Sequence, residues 1–348
     1  IRSQTQGIYQ GEFREGKYSR VHKSAGSIRS SIKKSNYDAE MSLIKELEPL
    51  NVMATKEGFG VSPLLIKEAW ELLFEGQAHD GIVGCVNDSV AEDILNRNKK
   101  ALEISRSASN FIKKQFAWGM RLQDNEIIIF NSDPIEFHGY KTIEVISHAK
   151  AITIDGVKMC ELIESRLHKG YENALVETPN GKFYEKEEDY YFHKLIVEVD
   201  LPAMGYKVFQ FHEVDEQDTK STQSFIENQN YRIEFQDRQL HLTYQGHTIK
   251  DFVSLENIGN AGDTYDFSPV VNDRAINLCM NHVQVDVSQH IQTMIVDCTT
   301  SLPYDLDDRL TRNNLKECQA QLTIRLLEDD MIYVEVDFDN QVLSHRLR

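Results

Sequence analysis

The sequence has few cysteines, and their spacing forms no motif. There are five, which is an odd number, and no two form a Cys-x-x-Cys pair: they are Cys85, Cys160, Cys279, Cys298 and Cys318. A disulfide framework and a thiolate zinc site both require paired or closely spaced cysteines, so neither is predicted. Unpaired thiols are typical of a reducing compartment, and we expect the protein to be cytoplasmic.

Long apolar runs are also lacking. No stretch approaches the roughly 18 apolar residues that a helix needs to cross a bilayer, and no signal peptide is visible. We therefore expect no membrane partner. The first residue is Ile1 rather than Met, from which we expect that the chain is the later part of a longer protein.

Basic residues are scarce relative to acidic ones. The chain has 38 Lys and Arg against 55 Asp and Glu, a formal net charge of -17. So acidic a chain repels phosphate groups, which argues against a nucleic-acid partner but not against a neutral carbohydrate. With 348 residues, of which 41% are hydrophobic and 27% charged, the chain can bury a sizeable core in about two domains.

Before residue 120 the apolar residues recur at helical spacing and predict three helices. The first is expected to end or bend at Pro49. The second begins at Ser62 and Pro63, a cap followed by proline at the first helical position, and the third begins near Ser89. The apolar positions, which we interpret as core-facing, are Ile28, Ile32, Ala39, Leu43, Leu47, Leu65, Ile66, Ala69, Trp70, Leu73, Val90, Ile94, Ala101, Ile104, Ala108 and Ile112.

After residue 120 short alternating runs predict strands. The runs cover residues 126–130, 194–200, 231–235, 283–287 and 331–338. Asn180 and Gly181 predict a hairpin turn. No parallel βαβ alternation is present, so no nucleotide-binding sheet is expected. The predicted fold is α+β: a small three-helix bundle over residues 27–119, followed by a large antiparallel β-sandwich over residues 120–348, with residues 1–26 as a connector.

The pair His79-Asp80 is the strongest chemical signal. It lies in the segment Gln-Ala-His-Asp-Gly-Ile-Val-Gly-Cys at residues 77–85, whose glycines allow close approach. A neutral imidazole is a good zinc ligand, and a neighbouring carboxylate can support the metal or bind a polar substrate. On residue types alone, such a pair is more often a surface or capping pair than a metal site.

A second candidate segment precedes the first helix. Residues 11–24 are polar, basic and aromatic. They can form a solvated connector or line a cleft, in which case Arg20 and His22 are candidates to contact a substrate. Further on, residues 187–189 form an acidic run that we interpret as a solvated loop, so no pair of reacting carboxyl groups stands out.

Several motifs occur in a fixed order along the chain. They are Gly-Glu-x-Arg-x-x-Lys-Tyr-x-Arg-Val-His-x-Ser at 11–24, Leu-Glu-Pro-Leu at 47–50, Ala-His-Asp-x-Ile-x-Gly-Cys at 78–85, Ile-Ile-Ile-Phe-Asn at 127–131, Leu-Pro-Ala-Met-Gly-Tyr at 201–206, Ile-Glu-Asn-x-x-Tyr-Arg-Ile at 226–233, Gly-Asp-Thr-Tyr-Asp-Phe-Ser-Pro at 262–269 and Ser-His-Arg-Leu-Arg at 344–348. In order and spacing they resemble the central and C-terminal regions of glycoside hydrolase family 38, the α-mannosidases. The last motif departs from the family's pattern at Ser344, where the family has Asp.

The resemblance implies a zinc-dependent retaining α-mannosidase that hydrolyses terminal α-mannosides. His79 matches the fourth ligand of the family's single zinc ion. Asp80 matches a residue that binds mannose hydroxyls, and Tyr265 a tyrosine that reaches the sugar from the C-terminal region. Asp263, on the same loop, is a further candidate. The implied partner is a mannose-containing oligosaccharide or glycoside, and the resemblance also allows a homodimer.

The chain departs from the family in having no His-x-Asp motif. In the family that motif, the nucleophile and the general acid belong to an N-terminal catalytic domain, and more strands usually follow the Arg-Leu-Arg motif. We therefore expect this chain to supply one zinc ligand and part of the sugar pocket, no catalytic residue, and no activity by itself. The alternative is a non-catalytic carbohydrate-binding or scaffolding module. Neither the linkage nor the aglycone can be inferred.

Overall fold

The structure is a computed structural model that describes His22 and residues 24–215 and 219–348. Residues 1–21 of the predicted connector, which include the candidate Arg20, lie outside the described residues. Helices form the first part of the described chain and strands the rest, so the predicted α+β class is confirmed. The helices are α1 Ser30–Met41, a π-helical segment Ser42–Leu47, α2 Glu48–Lys56, α3 Pro63–Gly76, α4 His79–Val83, α5 Asp88–Met120 and, among the strands, α6 Leu306–Thr311.

The first predicted helix continues through Pro49 instead of ending there. It consists of α1, the π-helical segment and α2, which follow one another without a break. Because proline has no N–H, it cannot bond the carbonyl of Lys45 four residues before it. Ser132 donates its hydroxyl to that carbonyl, and the Lys45 ammonium pairs with Asp133 at 2.9 Å. The backbone group that proline leaves unsatisfied thus becomes a contact between the helices and the loop after the first strand.

The other two long helices begin close to the predicted positions. The Ser62 hydroxyl accepts a hydrogen bond from the N–H of Leu64 at 3.3 Å, and Asn87 caps α5 through the N–H of Val90 at 3.0 Å. Their apolar stripes pack together with the stripe of the first helix. The helical core consists of Ala39, Leu43, Leu47, Leu50, Met53, Ala54, Ala69, Leu73, Ala101, Ala108, Ile112 and Phe116.

The strands pair antiparallel throughout the registers that the structure describes. The first eight are β1 Glu126–Asn131, β2 Phe137–Ser147, β3 Ile152–Ile154, β4 Met159–His168, β5 Ala174–Thr178, β6 Gly181–Glu185, β7 Tyr190–Leu201 and β8 Gly205–Glu213. The others are β9 Lys220–Ser221, β10 Phe225–Glu227, β11 Tyr231–Gln236, β12 Gln239–Tyr244, β13 His247–Ile249, β14 Glu256–Gly259, β15 Ile276–Asn277, β16 Cys279–Val287, β17 Gln292–Pro303, β18 Leu315–Leu326, β19 Ile332–Asp339 and β20 His345–Leu347.

Four of the six sheets form two layered units with separate cores. In the first, the sheets β1-β8-β3 and β2-β7-β4 share a core that includes Leu195, Val197 and Phe209. In the second, the sheets β10-β11-β12-β13 and β19-β18-β17-β16-β9 share a larger core. The β-sandwich architecture predicted for residues 120–348 is therefore divided into two parts. The predicted hairpin is β5-β6, in which Thr178 pairs with Gly181.

Phe116 joins the helices to the first β unit. Its ring, only 4% exposed, lies 5.4 Å from the ring of Phe130 on β1 and 5.3 Å from that of Tyr206 on β8. The ring of Phe59, in the loop between α2 and α3, completes the cluster at 4.8 Å from the ring of Phe116. The helical core therefore extends onto one face of the β1-β8 pair.

Among the helices described, none combines the length and apolar character that crossing a membrane requires.

Replacing Phe116 with alanine should destabilise the protein by about 3–5 kcal/mol, because a buried aromatic ring and its contacts are lost. Urea unfolding followed by circular dichroism measures the loss. Phe111→Ala is the matched control, since Phe111 lies on the same helix and is 48% exposed; its effect should stay within about 0.5 kcal/mol. Equal effects of the two variants would contradict this role of Phe116.

Candidate functional site

His79 and Asp80 are the first two residues of α4, a short helix between α3 and α5. Its position depends on Gly81, which is buried. A Cβ at Gly81 would lie 2.6 Å from the carbonyl oxygen of Gly76 and 3.2 Å from the side chain of Ile94. No side chain fits at that distance, so glycine allows α4 to lie directly on the end of α3.

Two basic residues near the start of α1 hold the chain that leaves α4. Gly84 ends the helix in the left-handed conformation, with φ at 85°, as is common at helix C-termini. The Lys33 ammonium donates to the carbonyl of Val83 at 2.7 Å, and Arg29 Nε donates to that of Gly84 at 3.2 Å. Burial, and next the charge of Arg29, lower the pKa of Lys33. The otherwise unsatisfied carbonyls at this helix end thus receive charged donors.

The side chains of His79 and Asp80 both face solvent. They are 93% and 62% exposed, and His79 Nε2 lies 3.4 Å from Asp80 Oδ1. The thiol of Cys85 donates to the same carboxylate oxygen at 3.3 Å. The carboxylate of Asp80 therefore lies between an imidazole and a thiol, at the end of a firmly held turn.

The second part of the site is the loop over residues 260–269, which follows β14. Asn260 Oδ1 accepts hydrogen bonds from the N–H groups of Gly262 and Ser268 at 2.9 and 3.0 Å. Asp263 Oδ1 accepts from the N–H groups of Tyr265 and Asp266, both at 2.9 Å. Side chains of this kind stabilise turns by bonding the backbone a few residues on. Asp263 therefore shapes the loop that presents Tyr265.

Tyr265 contacts the segment that precedes α1. Its carbonyl accepts a hydrogen bond from the N–H of Ser24 at 3.0 Å, and the ring of His22 lies 5.1 Å from its own. A hydrogen bond with Cys85 is the main cause that raises the pKa of Tyr265, and the carboxylates of Asp80 and Asp263 act in the same direction. Its hydroxyl is therefore protonated at neutral pH.

Tyr265 lies near enough to Asp80 for that carboxylate to help raise its pKa, although the two residues lie far apart in the sequence. His79 adjoins Asp80, and Asp263 and His22 lie beside Tyr265. The sequence-based argument missed the part played by Cys85 and by the basic residues of α1. For Cys85 a signal was present, since it ends the segment that contains His79 and Asp80.

The base of the loop rests on a buried ionic network. Arg309 on α6 has a side chain only 3% exposed and pairs with Asp273 at 3.1 Å. It also donates to the side-chain oxygen of Asn257 on β14. Asp273 in turn accepts from the N–H of Gly259 at 2.7 Å. Because Gly259 is the residue before the loop begins, this network fixes where the loop leaves the sheet.

As a metal ligand, His79 can provide one donor. Its imidazole is almost fully exposed at the surface of α4, so a metal ion can reach it. In the part of the chain that the structure describes, no group of three or more His, Cys, Asp or Glu side chains is arranged to hold a metal ion. The exposed imidazole fits the single ligand that the resemblance implies, and the zinc site itself stays a prediction.

Comparison with solved structures identifies the fold. One similar structure is described as an α-mannosidase from Enterococcus faecalis V583, with a TM-score of 0.72 and 16% sequence identity over 94% of this chain. A second is described as a protein in glycosyl hydrolase family 38 from Enterococcus faecalis, with the same TM-score and identity over 93% of this chain. No family model and no curated protein sequence matches the chain.

The chain spans less than half the length of these two structures, 43% of the first and 45% of the second. Over that length its fold is that of a glycoside hydrolase family 38 protein, as the motifs predicted. At 16% identity the likeness shows the fold. It does not show which residues act.

Replacing Arg309 with alanine should destabilise the protein by about 3–5 kcal/mol, because the carboxylate of Asp273 would remain buried without its partner. Urea unfolding measures the effect. Arg274→Ala is the control: Arg274 adjoins Asp273 in sequence but is exposed, so its loss should cost no more than about 0.5 kcal/mol. Unchanged stability of the Arg309 variant would show that the network does not hold the loop.

Proposed function

We propose that this chain is the central and C-terminal part of a zinc-dependent retaining α-mannosidase of glycoside hydrolase family 38, acting on terminal α-mannosides. The observation that carries the proposal is that the Asp80 carboxylate helps to raise the pKa of Tyr265, although the two residues belong to distant segments. The motifs single out these two residues together with His79. The likeness in fold to an α-mannosidase supports the same conclusion.

His79 is proposed to be the zinc ligand of this chain. A catalytic zinc ion takes about three or four protein ligands and keeps a position open for the substrate. The exposed imidazole fits the role of one such ligand, and the others would come from the rest of the protein. When bound, zinc would polarise and orient the O2 and O3 hydroxyls of mannose.

The sugar pocket is proposed to include Asp80 and Tyr265. The carboxylate of Asp80 can accept hydrogen bonds from sugar hydroxyls, and such charge-assisted bonds are among the stronger ones. The hydroxyl of Tyr265, kept protonated by its raised pKa, can donate to a sugar oxygen or accept from a hydroxyl. Asp263 has a secondary role in the proposal, because one of its oxygens already accepts two backbone N–H groups.

The nucleophile and the general acid are proposed to lie outside this chain. A retaining glycosidase needs two carboxyl groups about 5–5.5 Å apart across the scissile bond. We expect the chain by itself to be inactive and the full-length protein to hydrolyse mannose-containing oligosaccharides or glycosides.

The five cysteines of this chain are free thiols, which supports a proposed cytoplasmic location. The homodimer stays a prediction.

Replacing His79 with alanine in the full-length protein should remove zinc and lower kcat/KM for an aryl α-mannoside by at least about 100-fold, because a ligand of the catalytic metal is lost. Zinc content by atomic emission and the hydrolysis rate are the two measurements. His282→Ala is the control, since His282 is a 69% exposed histidine on β16. A His79 variant with full zinc content and full rate would exclude the ligand role.

Replacing Asp80 with asparagine should lower kcat/KM by about 10- to 100-fold, the loss expected when a charged hydrogen-bond acceptor becomes neutral, while zinc stays bound. The same two assays separate this outcome from that of His79→Ala. An Asp80 variant with the wild-type rate would exclude the sugar contact.

A titration of the full-length protein with mannosides tests the alternative function. If the protein binds mannosides but hydrolyses none, the alternative of a carbohydrate-binding module replaces the enzyme.

A further inference from the structure

We propose that a cleft at one end of the second β unit is a second saccharide-binding site of this protein. The cleft has a volume of about 380 Å³, within the range of roughly 300–1,000 Å³ that is usual for small-ligand sites. The class of ligand, a neutral saccharide, follows from the side chains that line the cleft. That the saccharide contains mannose rests on the proposed function.

Three segments of the second β unit form the cleft, and hydrogen bonds tie them together. They are the turn between β10 and β11, the turn between β16 and β17, and the segment at the end of β18. The side chain of Asn228, in the first turn, donates to the carbonyl of Leu327 at 2.8 Å. The side chain of Gln292, at the start of β17, accepts from the N–H of Glu227 at 2.9 Å. The walls are thus held in place before a ligand arrives, which lowers the entropic cost of binding.

The first β unit anchors the turn that carries His290. The N–H of His290 donates to the carboxylate of Glu161 on β4 at 2.9 Å. The next residue, Ile291, is buried in a cluster with Met159 of the same strand and with Leu327. The cleft therefore lies where the two β units meet, and junctions between domains are common places for ligand sites.

The charges of the cleft favour a neutral ligand. Among the described residues that line it, none is a lysine or arginine, so an anion finds no basic partner there. The two carboxylates in the lining already have partners. Glu227 pairs with Arg232 at 2.7 Å, and Glu328 lies 3.1 Å from His290 Nδ1. A cation therefore finds no unpaired carboxylate.

The polar groups that remain available both donate and accept hydrogen bonds. In the described part of the chain, the carboxamides of Gln229 and Gln289 have no hydrogen-bond partner, and each offers a carbonyl oxygen and an NH2 group. Because a carboxylate only accepts, a neutral His290 donates to Glu328 through Nδ1 and keeps Nε2 as an acceptor. Sugar hydroxyls also donate and accept, so this set of groups suits a saccharide.

The cleft is remote from the loop that carries Tyr265. Strand β17 begins at the cleft with Gln292 and ends at Pro303, shortly before the Arg309 network that holds the base of that loop. A strand of 12 residues spans about 35–40 Å. A mono- or disaccharide cannot extend over that distance, so the cleft would hold a remote part of a long glycan or a separate glycan chain.

Chemical protection in the full-length protein tests the site directly. Diethyl pyrocarbonate modifies histidine, and His290 Nε2 is available to it. A thio-linked α-mannobioside, which resists hydrolysis, should slow this modification about tenfold at about ten times its Kd, as mass action requires. Peptide mass spectrometry follows His290 together with His282, a 69% exposed histidine on β16, whose rate should not change. An unchanged His290 rate would overturn the proposal.

Two glutamine variants test the groups assigned to the sugar. Gln229→Ala and Gln289→Ala should each raise the ligand concentration for half-protection of His290 about tenfold, because the hydrogen bonds of one carboxamide to the sugar are lost. Gln319→Ala is the matched control, since Gln319 is an exposed glutamine on β18, outside the cleft, and should leave that concentration unchanged. Wild-type values for both Gln229→Ala and Gln289→Ala would overturn the proposal.

Hydrolysis of an aryl α-mannoside is measured on the same preparation, so that the two proposals fail separately. Protection of His290 in a full-length protein that hydrolyses no mannoside would retain the cleft site and overturn the proposed function. Hydrolysis by a protein in which the ligand leaves His290 unprotected would retain the proposed function and overturn the cleft site.

Discussion

The candidate site depends first on how closely α4 approaches the end of α3. A carbonyl oxygen lies where a side chain at Gly81 would begin, and this contact determines the position of the two residues that precede the glycine. The charged donors on α1 then hold the far end of the same helix. A five-residue helix has little stability of its own, because forming its first turn is unfavourable. Tertiary contacts at both ends therefore determine where His79 and Asp80 lie.

The second requirement is that the β loop meets this helix. Asx-type bonds from Asn260 and Asp263 shape the loop, and the buried Arg309 network fixes its base. The aromatic cluster around Phe116 couples the helices to the first β unit. These supports are mostly remote from the candidate site, and each restricts one segment. Together they hold two parts independently, the turn that carries Asp80 and Cys85 and the loop that carries Tyr265.

The sequence predicted what depends on local patterns and missed what depends on pairing between distant segments. Helical periodicity placed the helix starting after Ser62, and alternation placed the strand at residues 194–200 within β7, because both patterns report which side of an element is buried. The division of the strands into two units was missed, since alternation does not say which strands share a core. Whether the helix ends or bends at Pro49 could not be decided from the sequence, because the compensating hydroxyl belongs to Ser132. The His79-Asp80 pair could be selected from the sequence, but the influence of Asp80 on Tyr265 could not be derived from local pattern.

The exposure of His79 and Asp80 indicates what this chain can contribute to a reaction. Their contact faces water, where polar contacts have little energetic value, and water competes with an exposed carboxylate for a sugar hydroxyl. Hydrogen bonds and charges gain strength when water is excluded and the groups are held in place beforehand. The described residues meet the second condition through the turn at Gly84 and the hydrogen bond from the Cys85 thiol to Asp80. On the proposed function, the first condition must come from further walls and ligands, so the contribution of this chain is the geometry of the site.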